Sequence, residues 1–498
     1  VAKAFTKTTS SFVTEIPIMV SVADEGVLLS RLEAGRQMYN ACLGEARRRL
    51  DLIRQSKDFN QARALKRSNP ERKVLFKRAR ERYEFSDYAI QAYGTRIRHS
   101  WIGEHIDAHT GQKLATRAFN AAEKVLFGQA RRVRFKSKNQ IDSLESKSNA
   151  AGIRWRHDGV EWNSLRLNAI IEDYDPVILH GLKARIKYVR LVRRKYNGSN
   201  LFYAQLVCEG KAFQKPKNKV GKGDIGLDIG PSTIAIVGDQ FARLEQFASE
   251  LKFQDKQNRK LQRQLDRSRR ANNPDNYNPN GTINKGKKRW NNSKTYSKTR
   301  NGLANKERKL VGHRKSLHGA MVNSILAQGD AFKLEKLSYK AFQKLYGRSV
   351  SKRAPGMFVS HLKRKAASAG AKVVEFPTYN TKLSQTCQCG RVKKKKLSQR
   401  VHHCECGVQA QRDLYSAFLA QHIDPETNVL QVNQVLDAWC SVESRLWSQC
   451  RAGVPPVETT GVAAWRAATS NQPAIRGLLP SYERTLPGDR VGRRISPN

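Results

Sequence analysis

Three acidic residues occupy distinctive local settings in the sequence. Asp228 lies inside the apolar run IGLDIG, Glu335 ends the apolar run AFKLE, and Asp413 begins the helical pattern DLYSAFLAQHI. A carboxylate in an apolar strand is unfavourable unless it is paired or bound to a cation. Each residue also has a structural interpretation: Asp228 could cap a turn, Glu335 could pair with a lysine, and Asp413 could be a helix N-cap.

Taken together, the three carboxylates predict a site for divalent cations. Clustered carboxylates repel one another, and Mg²⁺ relieves that repulsion while it accepts hard oxygen ligands. Two such ions about 3.5–4 Å apart can activate a water and stabilise the leaving oxygen of a phosphodiester. These residue types therefore predict hydrolysis of a nucleic-acid backbone.

Four cysteines form a second candidate site. Two pairs, each enclosing one residue and followed by a glycine, are separated by fourteen residues, and the four are Cys387, Cys389, Cys404 and Cys406. Four thiolates complete the tetrahedral shell of a structural Zn²⁺ ion, and the glycines free backbone amides to turn toward the sulfurs. Two alternatives are that His402 or His403 replaces a thiolate and that the thiols are unligated. The remaining cysteines are predicted to be buried thiols: Cys42, Cys208, Cys440 and Cys450.

The charge of the chain favours a polyanionic partner. It has 92 Lys and Arg against 43 Asp and Glu, a net charge of +49, which would repel itself in a compact state without nucleic acid. Residues 251–320 hold 20 Lys and Arg against 4 acids. We predict phosphate contacts along one helix there, with a solvated charged face as the alternative: Arg259, Lys260, Arg263, Arg267, Arg269 and Arg270.

Other classes of protein are disfavoured. No apolar run reaches the roughly 18 residues that cross a bilayer, and the stretch FVTEIPIMVSV contains Glu15 and is typical of a strand rather than a signal peptide. Eight cysteines in 498 residues are too few for a disulfide scaffold. We expect no membrane partner and a location in the cytoplasm.

Periodicity predicts an α/β multidomain chain. Residues from about Glu25 to Ala130 have helical spacing, seen best in LATRAFNAAEKVLF. After RVRFKSK the pattern alternates, which predicts β-hairpins around Asp158-Gly159 and Asn197-Gly198. The segment GDIGLDIGPSTIAIVGD predicts a buried hairpin broken at Gly230-Pro231.

As a set, these segments resemble the TnpB proteins of insertion sequences and the related compact type V CRISPR effector nucleases. The resemblance covers most of residues 110–420 and rests on IGLDIGPSTIAIVGD, FKLEKL and CQCG…HHCECG…QRDLYSAFLA, with RVRFKSK and KLQRQLDRSRRANNPDNYNP in the expected order. Two departures stand out. The family usually has two residues inside each cysteine pair, and it commonly has Asn at the position of Tyr415.

The resemblance implies a RuvC-like nuclease domain of the ribonuclease H fold with a zinc-ribbon insertion. It also implies an N-terminal β-barrel wedge domain interrupted by a helical recognition domain. The expected boundaries are wedge at 1–24 and 136–221, recognition at 25–135, nuclease at 222–384 and 411–452 with the basic segment 251–320, ribbon at 385–410, and a weakly ordered tail at 453–498.

By motif position, the resemblance makes Asp228, Glu335 and Asp413 the catalytic acids that hold two Mg²⁺ ions, and the four cysteines the ligands of one Zn²⁺. It implies a prokaryotic RNA-guided DNA endonuclease that binds a guide RNA, recognises a short flanking motif in double-stranded DNA, and cuts after an RNA–DNA heteroduplex displaces one strand. The alternatives are a transposon TnpB-type nuclease, an accessory protein that binds nucleic acid without cleavage, and a resolvase or transposase that needs no RNA.

Overall fold

The computed structural model describes residues 9–286, 288–396 and 398–451, without the side chains of residues 348 and 448–451. The predicted tail at 453–498 lies outside the described residues. The chain forms two compact units. The first holds the described residues up to Phe213 together with Asn258–Asn305, and the second holds Gln214–Gln257 and the described residues from Lys306 onward.

The first unit combines helices with two antiparallel sheets. One sheet has the order β1-β7-β6-β2 and the other has the order β3-β4-β5. The two sheets meet where β1 ends, because the amide of Met19 donates to the carbonyl of Asn168 at 2.9 Å. The elements are β1 (Ser11–Ile18), α1 (Val22–Gln55), α2 (Lys57–Ala64), α3 (Glu71–Arg82), α4 (Asp87–Arg98), α5 (Ile102–His105), α6 (Ala108–Leu126), β2 (Ser143–Glu145), β3 (Arg154–Arg156), β4 (Gly159–Trp162), β5 (Leu165–Asn168), α7 (Pro176–Lys183), β6 (Ile186–Tyr196) and β7 (Ser199–Glu209).

Helix α6 confirms the predicted apolar stripe. Leu114, Ala118, Ala122 and Val125 are all buried, at the spacing of three and four that aligns residues on one helix face. Asp107 caps the helix, and its side chain accepts from the amide of Thr110 at 2.9 Å.

Both predicted hairpins form, but one turn was placed one residue too late. Between β6 and β7, Asn197 and Gly198 have φ of 51° and 92°, as a type I′ turn requires. Between β3 and β4 the left-handed residues are His157 and Asp158, with φ of 46° and 55°. Gly159 serves packing instead, since a Cβ there would lie 2.4 Å from the carbonyl oxygen of Leu167.

The second unit is built on a mixed five-stranded sheet of order β10-β9-β8-β11-β12. Strand β8 is antiparallel to β9 and parallel to β11, and β11 is parallel to β12. Helix α8 and the start of α9 belong mostly to the first unit. The elements are β8 (Asp224–Ile229), β9 (Thr233–Gly238), β10 (Phe241–Gln246), α8 (Asp255–Ala271), α9 (Lys294–Leu326), β11 (Ala331–Glu335), α10 (Tyr339–Arg353), α11 (Pro355–Ala369), β12 (Lys372–Phe376), α12 (Thr378–Thr381), β13 (Val401–His403), β14 (Gln409–Gln411), α13 (Arg412–Gln421) and α14 (Val432–Arg451).

The alternation along β8 assigns its two faces. Ile225, Leu227 and Ile229 join the buried core that includes Phe358 of α11 and Val322 of α9. Gly226 and Asp228 therefore point to the opposite face, because successive side chains alternate across a strand. That opposite face carries α13.

The structure also bears on the predictions for the scattered cysteines and for membrane-spanning segments. Cys42 and Cys208 are buried as expected, but Cys440 is exposed, because it lies on an outward face of α14; the side chain of Cys450 is not described. Within the described ranges, every helix is too short or too polar to cross a membrane.

Candidate active site and metal centre

Asp228 and Glu335 are neighbours across two central parallel strands. The register pairs Leu227 of β8 with Leu334 of β11, so the next residue of each strand stands beside the other. Adjacent strands are about 4.8 Å apart, and neighbours in register point to the same face. Two acids that are distant in the sequence thus meet at the carboxyl ends of parallel strands, where α/β proteins bind ligands.

Helix α13 brings Asp413 toward this pair through close contact at Gly226. A Cβ on Gly226 would lie 1.8 Å from the carbonyl oxygen of Ala417 and 2.6 Å from the amide nitrogen of Gln421, so only glycine admits the helix. From this contact, two residues along β8 lead to Asp228, and one turn back along α13 leads to Asp413. These steps are of nearly equal length, about 6–7 Å, and both lead toward the same end of the sheet.

The other end of α13 is fastened to the same strands. The buried ammonium of Lys333 donates to the carbonyl of Gln421 at 2.8 Å and pairs with Asp224 at 2.6 Å. A cation at a helix C-terminus is favourable because carbonyl oxygens there lack partners. The contact sets the position of the helix along β8 and hence that of Asp413.

The electrostatics support the convergence of the three acids. Burial raises the pKa of Asp228 well above its usual value, and the negative charges of Asp413 and Glu335 raise it further, while Arg412 lowers it. Burial also raises the pKa of Glu335 to about 7, against a hydrogen bond from the backbone of Leu383. Carboxyls held above their usual pKa need a cation to be ionised together.

Asp413 is held by two arginines rather than acting as an N-cap. Its Oδ1 accepts from Nε and Nη2 of Arg412, each at 3.1 Å, and its Oδ2 lies 3.5 Å from Nη1 of Arg400. The N-cap interpretation was wrong, because α13 begins at Arg412 and its cap is Gln411, whose side chain accepts from the amide of Leu414 at 2.7 Å.

The carboxylates suit a divalent cation in chemistry, although their oxygens are not drawn together as tightly as metal ligands. They offer hard oxygen donors from three elements, as Mg²⁺ prefers. Among the described residues, however, the four cysteines form the only group of three or more potential ligands whose donor atoms lie within 4.8 Å of one another. A cation at the carboxylates would draw Asp413 away from its arginines.

The four cysteines have the geometry of a zinc site despite their one-residue gaps. Cys387 Sγ lies 3.5 Å from Cys406 Sγ, and Cys389 Sγ lies 3.6 Å from Cys404 Sγ. Sulfurs bound tetrahedrally at 2.3 Å would be about 3.8 Å apart, whereas a disulfide would bring them to about 2 Å. These residues would hold a structural Zn²⁺ with no open position.

Each cysteine pair lies on a tight turn ended by a left-handed glycine. The amide of Gly390 donates to the carbonyl of Cys387 at 2.9 Å, and that of Gly407 donates to the carbonyl of Cys404 at 3.0 Å. The two glycines have φ of 84° and 95°, a conformation that side chains disfavour. Gly390 and Gly407 therefore form the turns at the cysteine pairs, as the sequence predicted.

Tyr415 connects the cysteine cluster to α13. Its buried hydroxyl accepts from the amide of Gln388 at 2.9 Å and donates to Cys387 Sγ at 3.6 Å. Its ring packs on His402 at 4.3 Å, and His402 Nδ1 contacts Lys395 at 2.5 Å rather than joining the cysteines. The position where the family commonly has Asn thus supports the sulfur cluster in this chain.

The basic helix divides into exposed and structural cations. Arg259, Lys260, Arg263 and Arg267 are exposed. Arg269 is only 7% exposed, with its guanidinium 3.6 Å from the centre of the Trp290 ring. Arg270 pairs with Asp266 at 2.9 Å and donates to the carbonyl of Gly281 at 3.1 Å. Arg269 and Arg270 thus hold the following loop, which the charge pattern did not reveal.

Comparison with known proteins identifies one domain. The Cas12f1-like TNB domain model matches residues 356–419, which confirms the resemblance to compact type V effectors for the segment that contains the cysteines and Asp413. No curated protein sequence matches the chain.

Two solved structures are similar over much of the chain at low identity. A cryo-EM structure of a Cas12f1–sgRNA–target DNA complex has 10% identity and a TM-score of 0.41, covering 82% of this chain and 98% of that one. A CRISPR–Cas12f ternary complex has 11% identity and a TM-score of 0.26, covering 82% and 83%. Both TM-scores lie below 0.5.

Proposed function

We propose that this chain is an RNA-guided DNA endonuclease in which Asp228, Glu335 and Asp413 bind divalent cations and hydrolyse a phosphodiester. The register of β8 and β11 supports the proposal most strongly, because it sets two acids side by side while α13 presents the third. Two bound Mg²⁺ ions would supply an activated water and stabilise the leaving oxygen.

The chain's own residues prepare this site. Gly226 lets α13 approach closely enough for Asp413 to face the strands. Arg412 and Arg400 neutralise Asp413 before a cation binds, and the raised pKa of Glu335 leaves that carboxyl partly protonated near neutral pH. Clustered negative charge is thereby tolerated in the folded chain.

The RNA-guided part of the proposal has separate support. The match of residues 356–419 to a Cas12f1-like domain and the net charge of +49 favour a chain that binds nucleic acid. Base pairing with a guide RNA would select the DNA target, and four exposed cations of α8 are proposed to contact phosphates: Arg259, Lys260, Arg263 and Arg267.

The test is DNA cleavage by protein purified with its RNA. Asp228→Asn, Glu335→Gln and Asp413→Asn should each reduce cleavage by about a thousandfold or more, since each removes several kcal/mol of charge stabilisation, while RNA binding stays unchanged. Cutting at the wild-type rate by any of these variants would remove that residue from the site.

Two observations distinguish the alternative functions: the origin of the bound RNA, and whether cleavage requires RNA. Sequencing the copurified RNA distinguishes a CRISPR effector, with a repeat-derived guide, from a transposon TnpB nuclease, with RNA from a transposon end. Activity that survives complete RNA removal would favour a protein-only resolvase or transposase. No cleavage with any guide would favour an accessory binding protein.

A further inference from the structure

The first unit contains a basic cavity that shares no residue with the three carboxylates, the cysteine cluster or helix α8. Its volume is about 1030 Å³, and it lies between α6, Tyr39 of α1 and the segment that follows Gly128. Six cations and no acid line it: Arg117, Lys124, Arg131, Arg132, Arg134 and Lys136. The sequence motif RVRFKSK supplies half of these cations.

The walls of the cavity are held in place by hydrogen bonds. Asn40 clasps the backbone of Lys136 in both directions, accepting from its amide at 2.8 Å and donating to its carbonyl at 2.7 Å. Arg36 donates to the same carbonyl at 2.9 Å. On the opposite side, Arg117 donates to the carbonyl of Ser143 at 3.0 Å. Little ordering is therefore required when a ligand enters.

The positive charge of the cavity is not compensated by neighbouring acids. In the part of the chain that the structure describes, none of the six lining cations forms an ion pair with a carboxylate. The nearby Glu33 pairs with Arg36 at 2.6 Å, and Glu123 pairs with Arg80 at 3.2 Å. Six clustered cations repel one another, so an anion that enters relieves the repulsion.

An exposed aromatic ring stands within the same segment. Phe135 lies between Arg134 and Lys136 in the sequence, next to the residues that line the cavity rather than among them. Its side chain is 46% exposed, although a Phe of a folded protein is usually buried. Basic residues that alternate with an exposed aromatic ring are typical of sites for single-stranded nucleic acid, where phosphates contact cations and an unpaired base stacks. A base inside a duplex could not reach the ring.

We propose that this cavity binds the phosphates of a single-stranded RNA segment, with one base stacked on Phe135. The exposed ring favours a single strand, because the bases of a duplex are paired with one another and cannot stack on a protein side chain. This inference deepens the proposed function, because it rests on the chain binding RNA, but it does not require cleavage.

The test measures the affinity of RNA-free protein for a fluorescent 20-nucleotide single-stranded RNA across a salt series, without Mg²⁺. The double variant Arg131→Gln/Arg134→Gln should lose at least about tenfold in affinity, and the log–log salt slope should fall by about 1.4, or 0.7 for each lost phosphate contact. The matched control Arg63→Gln/Arg67→Gln removes two exposed cations of the same unit and should change affinity less than twofold. Equal losses in both double variants would overturn the site.

A second pair of variants tests the stacked base. Phe135→Leu should weaken binding by about tenfold without changing the salt slope, whereas Tyr88→Leu, at a residue 76% exposed on α4, should have little effect. Equal losses with a duplex DNA probe would overturn the single-strand assignment. Wild-type protein that bound no RNA would contradict the proposed function itself, which separates the two failures.

Discussion

Tyr415 lies two residues after Asp413 on helix α13, and its hydroxyl donates to the sulfur of Cys387 at 3.6 Å. Helix α13 therefore carries both the third carboxylate and a side chain that contacts the cysteine cluster. Through Arg412, which donates to the carbonyls of Lys396 and Gln399 at 3.3 Å and 2.9 Å, the loop between the cysteine pairs also orients the Asp413 carboxylate. The cluster thus positions one end of the acidic site.

Removing the Tyr415 hydroxyl should loosen this connection. Tyr415→Phe leaves the buried amide of Gln388 without its acceptor, which costs about 1–3 kcal/mol. We expect a lower melting temperature and faster release of zinc to a chromogenic chelator. Tyr379→Phe, at a tyrosine 74% exposed, is the control. Unchanged zinc release in Tyr415→Phe would contradict the coupling.

Gly226→Ala should displace α13 from the sheet. Its Cβ would meet the carbonyl oxygen of Ala417 at 1.8 Å, and backbone there cannot yield without moving the helix that carries Asp413. We expect cleavage to be lost and stability to fall by a few kcal/mol. Gly312→Ala on α9, with nothing within 4 Å, should retain activity and gain up to about 1 kcal/mol. An active Gly226→Ala protein would refute the close-contact argument.

The raised pKa of Glu335 predicts a pH dependence of stability. Its folded pKa of about 7 exceeds the value of 4.5 for an unperturbed glutamate, so between these pH values the unfolded chain releases a proton that the folded chain keeps. In metal-free protein, stability should fall as pH rises through this window, by at most about 3 kcal/mol. Glu335→Gln should lack this decline. Parallel denaturation profiles for the two proteins would contradict the prediction.

Zinc should be present at one equivalent and needed for the fold of the segment that carries the cysteines. Removal by chelation should lower the melting temperature of the wild-type protein, because the binding free energy of a structural zinc is folding free energy. Cys404→Ser should bind zinc weakly, whereas Cys440→Ser, at an exposed cysteine outside the cluster, should bind it fully. Elemental analysis that finds no zinc in active protein would remove the zinc site.

The sequence predicted the secondary-structure elements and the cysteine cluster better than the tertiary contacts that hold them. Local patterns sufficed for the helical stripe of α6, for the turn at Asn197-Gly198 and for the cysteine pairs. The turn at His157-Asp158 was misplaced because Gly159 serves packing. Arg269, which was predicted to contact phosphate, stacks on Trp290, a contact between residues that no local pattern links.

The residues missed at the site act through tertiary contacts. Lys333 lies in the apolar strand β11. A lysine in such a run was a signal that its charge binds a group on another element, which the structure shows to be the carbonyl of Gln421. Gly226, two residues before Asp228, was a signal for close helix packing on the same face. Arg400 and Arg412 lie in a strongly basic segment, so their charge alone did not distinguish them from the other cations.

Binding of Mn²⁺, followed by electron paramagnetic resonance in RNA-free protein, tests the central claim most directly. The wild-type protein should bind Mn²⁺, and Asp228→Asn, Glu335→Gln and Asp413→Asn should each weaken binding by about tenfold or more. Asp437→Asn, at an exposed acid of α14, should bind like wild type. Equal Mn²⁺ affinity in wild type and all three site variants would contradict a shared cation site at these carboxylates.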